Sequence, residues 1–199
     1  MSPAFSFKPE RSAFDLHDVS VAGAASAKNR RIDVETAARR FGLSPERVTE
    51  ISHELRQAES GDLLCAHFGA DRRSRAGYEA TTAQGSSLLK DSAASISVFQ
   101  PKSTDDVRRI VICRSAAEVL KQMKKDGSRQ WRQSIYVSTG GSTGIRTAKH
   151  LETVVGLYPS ATVLTDISPV RIQANVPWRA KEVIDHLKKL AWNSAAIRP

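Results

Sequence analysis

The stretch from Ser134 to Pro169, SIYVSTGGSTGIRTAKHLETVVGLYPSATVLTDISP, constrains the fold more than any other part of the chain. Ile135 to Ser138 is a short apolar, β-branched run that stops at Thr139-Gly140-Gly141, with Gly144 following in the same polar turn, so a strand is expected to end in a loop. The period then changes. Ile145, Ala148, Leu151, Glu152 and Val155 fall three or four apart, which sets one helical stripe inward and leaves Arg146 and Lys149 outside. Pro159-Ser160 breaks that helix, and Ala161 to Thr165 reads as a second buried strand delivering Asp166 to its carboxyl end. Strand, helix and strand in this order make a βαβ crossover, and ligands of open α/β sheets sit beyond the carboxyl ends of the strands. Gly140, Gly141, Ser142 and Asp166 are therefore the first candidates for a site.

Upstream, Val107 to Cys113 reads as another strand of the same unit, followed by Ser115-Ala-Ala-Glu118, the spacing of a helix capping box. Ala116, Val119, Leu120 and Met123 share one face of the helix so opened, which stops at Asp126-Gly127 and carries Lys121, Lys124 and Lys125 toward its end. Downstream, Val170, Ile172, Ala174 and Val176 alternate with polar residues as an edge-like strand, and Pro177 is expected to start a closing helix.

Before this unit the signals are shorter. Residues 1–30 mix Ser, Ala, Pro and charges without a period and read as a disordered leader, with a secretion signal left open. Asp33 to Phe41 is expected to form a helix capped by Asp33 and ended by Gly42, with a second from Ser44-Pro45 to about Arg56. The pair has the outline of a helix-turn-helix reader, but its second helix carries four Glu and only two Arg, which suits packing or a protein contact better than phosphate. Leu63 to Phe68 and Tyr78 to Thr82 are expected to pair as a hairpin, with a Gly/Ser-rich loop running to a short strand at Ile96 to Phe99. These divisions give a leader over 1–30, a helical pair over 31–60, an irregular preface over 61–104 and an α/β domain over 105–199. His67 reads as a buried or edge histidine, and His150 and His186 as helix-surface residues. Trp131, Trp178 and Trp192 lie among basic residues, open to core packing or to stacking on bases.

Charge narrows the partners. The formal net charge is +9. Residues 1–106 carry 14 Lys and Arg against 15 Asp and Glu, whereas residues 107–199 carry 16 against 6, so the α/β half holds the whole excess. A polyanion, with DNA favoured, is the partner this implies. Cys65 and Cys113 stand far apart and outside any metal-ligand spacing, which argues against a disulfide framework or structural zinc and for a reducing, cytoplasmic setting. No apolar run is long enough for a membrane span.

The strings IVICRSAAEVL at 110–120, YVSTGGSTG at 136–144 and ATVLTDIS at 161–168, with LLCAHFGADRRSRAGYEA before them, resemble the Toprim (topoisomerase-primase) domain. They are most similar to the variant in relaxase- and primase-like proteins of plasmids and other mobile elements. The resemblance implies a small, Rossmann-like, mostly parallel sheet flanked by helices. It also implies a magnesium site formed by a glutamate after the first strand and an Asp-x-Asp after a later one, since hard cations need converging carboxylates. Here the glutamate position holds Arg114 and the second aspartate position Ser168, leaving Asp166 alone, with Glu118 as the other acid an active magnesium nuclease or primase would use. The leading expectation is a degenerate domain without cofactor that binds nucleic acid. Arg114, Lys121, Lys124, Lys125, Arg146 and Lys149 would contact phosphates near the loop of Gly140, Gly141 and Ser142. A protein-interaction module working through the helical pair, or a secreted effector, is the remaining class.

Overall fold

The computed structural model describes residues 31–58, 60–68, 75–82, 84–89, 92, 95–104, 106–142, 145–165, 178–179 and 185. The leader, Asp166, Ser168, the strand expected over 170–176, His186 and Trp192 lie outside the described residues.

Helix α1 (Val34–Phe41) starts where Asp33 accepts hydrogen bonds from Thr36 N at 3.1 Å and Thr36 Oγ1 at 2.8 Å, which also holds the Asp33 carboxyl below its usual pKa. It ends at Gly42, whose φ of 66° is the left-handed conformation of a C-terminal cap. Helix α2 (Pro45–Ile51) opens on Ser44 and Pro45. It is shorter than its sequence pattern suggests. After Ile51 a 3₁₀ turn (Ser52–Glu54) leads into strand β1 (Leu55–Gln57), because Leu55 and Gln57 are buried by pairing with β2 and that tertiary gain overrides helix propensity.

Strands β1, β2 (Leu63–Phe68), β3 (Arg75–Thr81) and β4 (Ser86–Leu88) form an antiparallel sheet in that order. β2 and β3 fulfil the expected hairpin. β4 lies in the segment read as loop, since two serines carry no strand signal and pairing with Glu79 to Thr81 of β3 makes it.

The second sheet has the order β5 (Ser97–Phe99), β7 (Ser134–Ser138), β6 (Arg109–Cys113), β8 (Thr162–Thr165), β9 (Trp178–Arg179). β7, β6 and β8 are parallel, while β5 and β9 are antiparallel at the edges, so the sheet is mixed and not mostly parallel. Trp178 and Arg179 are in β9, where the closing helix was expected to begin. Helices α3 (Ala116–Lys125) and α4 (Ser128–Arg132) connect β6 to β7, and α5 (Ile145–Gly156) connects β7 to β8.

Strand periodicity separates the helices onto opposite faces. Val111, Cys113 and Tyr136 pack with α3, α1 and α2, whereas Ile110, Ile112, Ile135 and Val137 pack with α5. Each of these apolar side chains contributes roughly 1.5–3 kcal/mol of burial. Leu55, Leu63 and Cys65 join the α3 core, so the antiparallel sheet shares it. Both cysteines are free and buried, and burial pushes the Cys65 thiol well above its usual pKa, with Glu79 adding to the effect.

One polar cluster closes the α3 face at the amino edge of the sheet. Asp126, just past the end of α3, accepts from Tyr136 Oη at 2.7 Å, Gln122 Nε2 at 2.8 Å and Arg109 Nη1 at 3.2 Å. Burial, and then the bond to Asp126, push the Tyr136 phenol far above its usual pKa. A phenol whose folded pKa is raised stabilises the fold fully below its unfolded value of about 10, and that stability is lost as pH rises beyond it. Wild-type stability should therefore decline above about pH 10 more steeply than that of Tyr136→Phe, in urea midpoints taken across pH 8 to 11. Equal slopes would refute a buried, neutral Tyr136.

Candidate nucleic-acid interface at the carboxyl edge

β6 and β7 end side by side, and the residues following them are joined backbone to backbone. Thr139 N donates to Cys113 O at 3.1 Å and Gly141 N to Arg114 O at 2.7 Å. Arg114, Gly140, Gly141 and Ser142 are thus held as two abutting loops. Thr147 Oγ1, from the first turn of α5, donates to Ser142 Oγ at 3.0 Å. Arg146 and Lys149 are exposed on that helix, as Arg114 is on its loop.

The two glycines serve different needs. Both have positive φ, 58° at Gly140 and 80° at Gly141. A Cβ at 140 would lie 2.8 Å from His67 Cε1 and 2.9 Å from Leu88 Cδ2, so Gly140 is required by packing as well as by the turn. A Cβ at 141 would meet none of the described residues within 4 Å. Gly141 is exposed, and glycine is required there by the positive φ and not by packing against any described residue.

Beneath this loop lies a feature absent from the expected site. Glu79 of β3 is fully buried, and its Oε1 accepts from Ala116 N at 2.8 Å. Its Oε2 accepts from Ser138 Oγ at 2.7 Å and faces His67 Nε2 at 3.0 Å, so Nε2 carries the proton. Ser138 Oγ in turn accepts from Gly140 N at 3.2 Å. His67 Nδ1 is buried without a hydrogen-bond partner among the described residues. Ser138 bonds the carboxylate and not the imidazole, and all three side chains are sealed from solvent, so they form no Ser-His-acid nucleophile.

The start of α3 is saturated. Ala117 N donates to Ser86 Oγ at 2.8 Å and Glu118 N to Ser115 Oγ at 3.3 Å. Glu118 completes a variant of the capping box, its Oε2 accepting from Arg114 N at 3.0 Å, one residue before the N-cap. An anion is already in place at this helix N-terminus, and it is the chain's own Glu79. This removes α3's first turn, though not the exposed Arg114 side chain, from the groups free to meet a phosphate.

The residues expected to touch phosphate divide into two sets. Arg114, Gly140, Gly141, Ser142, Arg146 and Lys149 belong to the carboxyl edge and the α5 side. Lys121, Lys124 and Lys125 lie on α3, across the sheet from α5, and run toward the amino edge. Lys124 reaches α1, its Nζ 2.7 Å from where a Cβ on Gly42 would stand. Trp131 is buried in the core, and His150, read as a surface residue, is 4% exposed with Nδ1 2.6 Å from Ser95 Oγ. Of the two readings open for Trp131, core packing is the one observed, whereas His150 departs from its surface reading because it shares the buried side of α5 with Leu151.

Asp166, the acid on which an expected magnesium site rests, lies outside the described residues. Glu118 is engaged in capping, Arg114 brings a cation, and no group of three or more His, Cys, Asp or Glu among the described residues stands close enough to hold a metal. No helix among the described residues is long and apolar enough to cross a membrane. Comparison with protein-family models, curated proteins and solved structures finds no match for this chain.

Removing the Glu79 carboxylate strands His67, Ser138 Oγ and Ala116 N in the interior. Glu79→Ala should cost about 3–5 kcal/mol in urea unfolding, and Glu79→Gln distinctly less. A Glu79→Ala protein within 1 kcal/mol of wild type, about the worth of an ordinary exposed pair, would refute the network. The glycines should separate in the same assay. Gly141→Ala should lose about 1 kcal/mol for its backbone conformation alone, and Gly140→Ala at least twice that, because His67 and Leu88 must also move.

Proposed function

We propose that the chain is a nucleic-acid-binding accessory protein with a catalytically degenerate Toprim-like domain, acting in the processing or transfer of DNA of a mobile element. The setting rests on the resemblance of the strings at 110–120, 136–144 and 161–168. The binding reading rests on one observation above the others. Arg114 is exposed at the carboxyl end of β6, the position where the resemblance implies a metal-holding glutamate, and its carbonyl is bonded to the Gly141 amide. An arginine there offers a fork of donors to a phosphate oxygen pair where a glutamate would need a cation between itself and the same phosphate.

Two further facts support the reading. The positive excess lies wholly in residues 107–199. The helical pair turns its apolar residues Ala37, Ala38, Val48 and Ile51 into the chain's own core, and Arg47 of α2 donates to Met123 O and Asp126 O, so the arginine of the second helix is occupied internally. That weakens both a helix-turn-helix contact and a protein partner at its apolar face. Lys149 and Arg146 extend the basic surface from Arg114 along α5.

The test is a fluorescence-anisotropy titration against single- and double-stranded DNA over a salt series, in EDTA and in magnesium. Affinity should fall log-linearly with salt and ignore magnesium, and Arg114→Glu should weaken binding about tenfold and flatten the salt slope by about 1. No binding at low salt sinks the proposal, and magnesium-dependent cleavage of the probe replaces it with an enzyme.

A further inference from the structure

The amino edge of the sheet, opposite the glycine loop, carries a second basic feature. In the segment from Lys121 to Gln133 the cations Lys121, Lys124, Lys125, Arg129 and Arg132 are all exposed. The one acid among them, Asp126, is buried and bound by Tyr136, Gln122 and Arg109. Its charge is turned inward, so the surface of this segment is positive throughout.

Helix α4 gives that surface a fixed shape. Trp131 is 4% exposed, its ring 5.7 Å from that of Tyr136 and under the guanidinium of Arg47 at 5.3 Å. With the tryptophan anchored, Arg129 and Arg132, three residues apart on one helical turn, project to solvent on either side of it in sequence. The far end of α4 is tied to β6, since Gln133 O accepts from Arg108 N at 2.9 Å and Arg109 N at 3.0 Å. Between these anchors opens a cleft of about 410 Å³ lined by Asp106, Ser128, Arg129, Arg132 and Gln133. Asp106 would oppose an anion, but its carboxylate is paired with Arg108 Nε at 2.6 Å, which leaves Arg129 and Arg132 as the charge uncompensated among the described residues of the cleft.

We propose that this cleft binds a backbone phosphate of nucleic acid, as a second contact separate from the carboxyl edge. It rests on the nucleic-acid reading above and extends it. Two guanidinium forks with a serine hydroxyl and a glutamine amide are the donor set a phosphodiester takes, and the volume holds a phosphate with its adjoining sugar. The path between the two contacts is already basic. Arg114 stands two residues before α3, Lys121 and Lys125 are spaced four apart along it, and the cleft begins three residues after its end, so about 15 Å of helix joins them. The lysines that the carboxyl edge leaves unused are thereby included, as contacts along one backbone track.

The experiment uses the full chain and a fluorescein-labelled DNA, single- and double-stranded, over a salt series. Arg129→Ala/Arg132→Ala, both exposed positions, should leave the thermal midpoint unchanged, weaken binding about tenfold or more and lower the salt slope by about 0.7–0.9, the share of one phosphate. Arg129→Lys/Arg132→Lys should restore the slope while recovering part of the affinity, because the charge returns without the fork. A double alanine variant that binds like wild type, while Arg114→Glu loses affinity, overturns the cleft and leaves the nucleic-acid reading intact. Loss in the double variant with none in Arg114→Glu supports the cleft and removes the carboxyl-edge contact. A wild-type protein that binds neither probe overturns both.

Discussion

The buried carboxylate of Glu79 is the interaction on which the rest of the structure depends, because it is where the two sheets and a helix meet. Taking a carboxylate out of water costs several kcal/mol unless it is fully paired. Here Ala116 N, Ser138 Oγ and His67 Nε2 surround it, and the positive end of the α3 dipole adds to them. Its partners come from β2, from the end of β7 and from the start of α3. The carboxylate thus joins the antiparallel sheet to the two strand ends that carry Arg114 and Gly141. It also fixes the glycine loop from below, since Ser138 passes the same hydrogen-bond chain to Gly140 N. The loop above is tied in place, its Gly140, Gly141 and Ser142 amides donating to Ser138 Oγ, Arg114 O and Thr139 O.

Asp126 is the counterpart at the other end of α3, with the opposite sign of dipole interaction. A carboxylate beside a helix C-terminus faces the partial negative charge of unpaired carbonyls, which is unfavourable. Two arginines offset it. Arg109 meets the carboxylate, and Arg47 donates to Met123 O and Asp126 O, the carbonyls the helix leaves open. The same bonds engage α2 within the fold. Its arginine completes α3, and its Glu50 accepts from Ser103 N at 2.7 Å, so both signs of charge on the helix are drawn into the fold.

What the sequence made legible is what local pattern governs. The caps at Asp33, Gly42, Ser44 and Ser115 were readable because a cap is a contact between residues two to four apart, and the βαβ unit because its period changes from two to three and four within one stretch. β1, β4 and β9 were not, since three residues or fewer with no apolar alternation become strands only when a neighbour supplies the hydrogen bonds. Glu79 was out of reach for the same reason on a larger scale. Its partners stand 12, 37 and 59 residues away, and the sole local hint was a charged residue in register with Cys65, opposite a strand buried on both faces. Of the candidate site, the loop and Arg114 could be named from sequence. That α3 and α5 lie on opposite faces, which divides the basic residues into two sets, follows only from the strand order β7-β6-β8.

That division bears on how charge reaches the surface. The α/β half carries 16 basic residues against 6 acidic ones, and around α3 the fold sharpens the imbalance by what it does with two of those acids. Asp126 is buried and neutralised by its partners, and Glu118 turns back to the Arg114 amide, leaving that arginine's side chain without a carboxylate drawn to it by the cap. The cations, by contrast, are exposed at both ends of α3 and along it. A field built this way does not need a groove with acidic gatekeepers or a bound metal to attract a polyanion, because long-range attraction depends on the net charge facing solvent and is screened only beyond about 8–10 Å at ordinary salt. The two acids at the ends of α3, Glu118 turned to the Arg114 amide and Asp126 held inward by Tyr136, Gln122 and Arg109, therefore leave the outer surface of the helix to its lysines. In this chain, the closure of α3 at its ends and the positive sign of its outer surface are consequences of a single arrangement of charge.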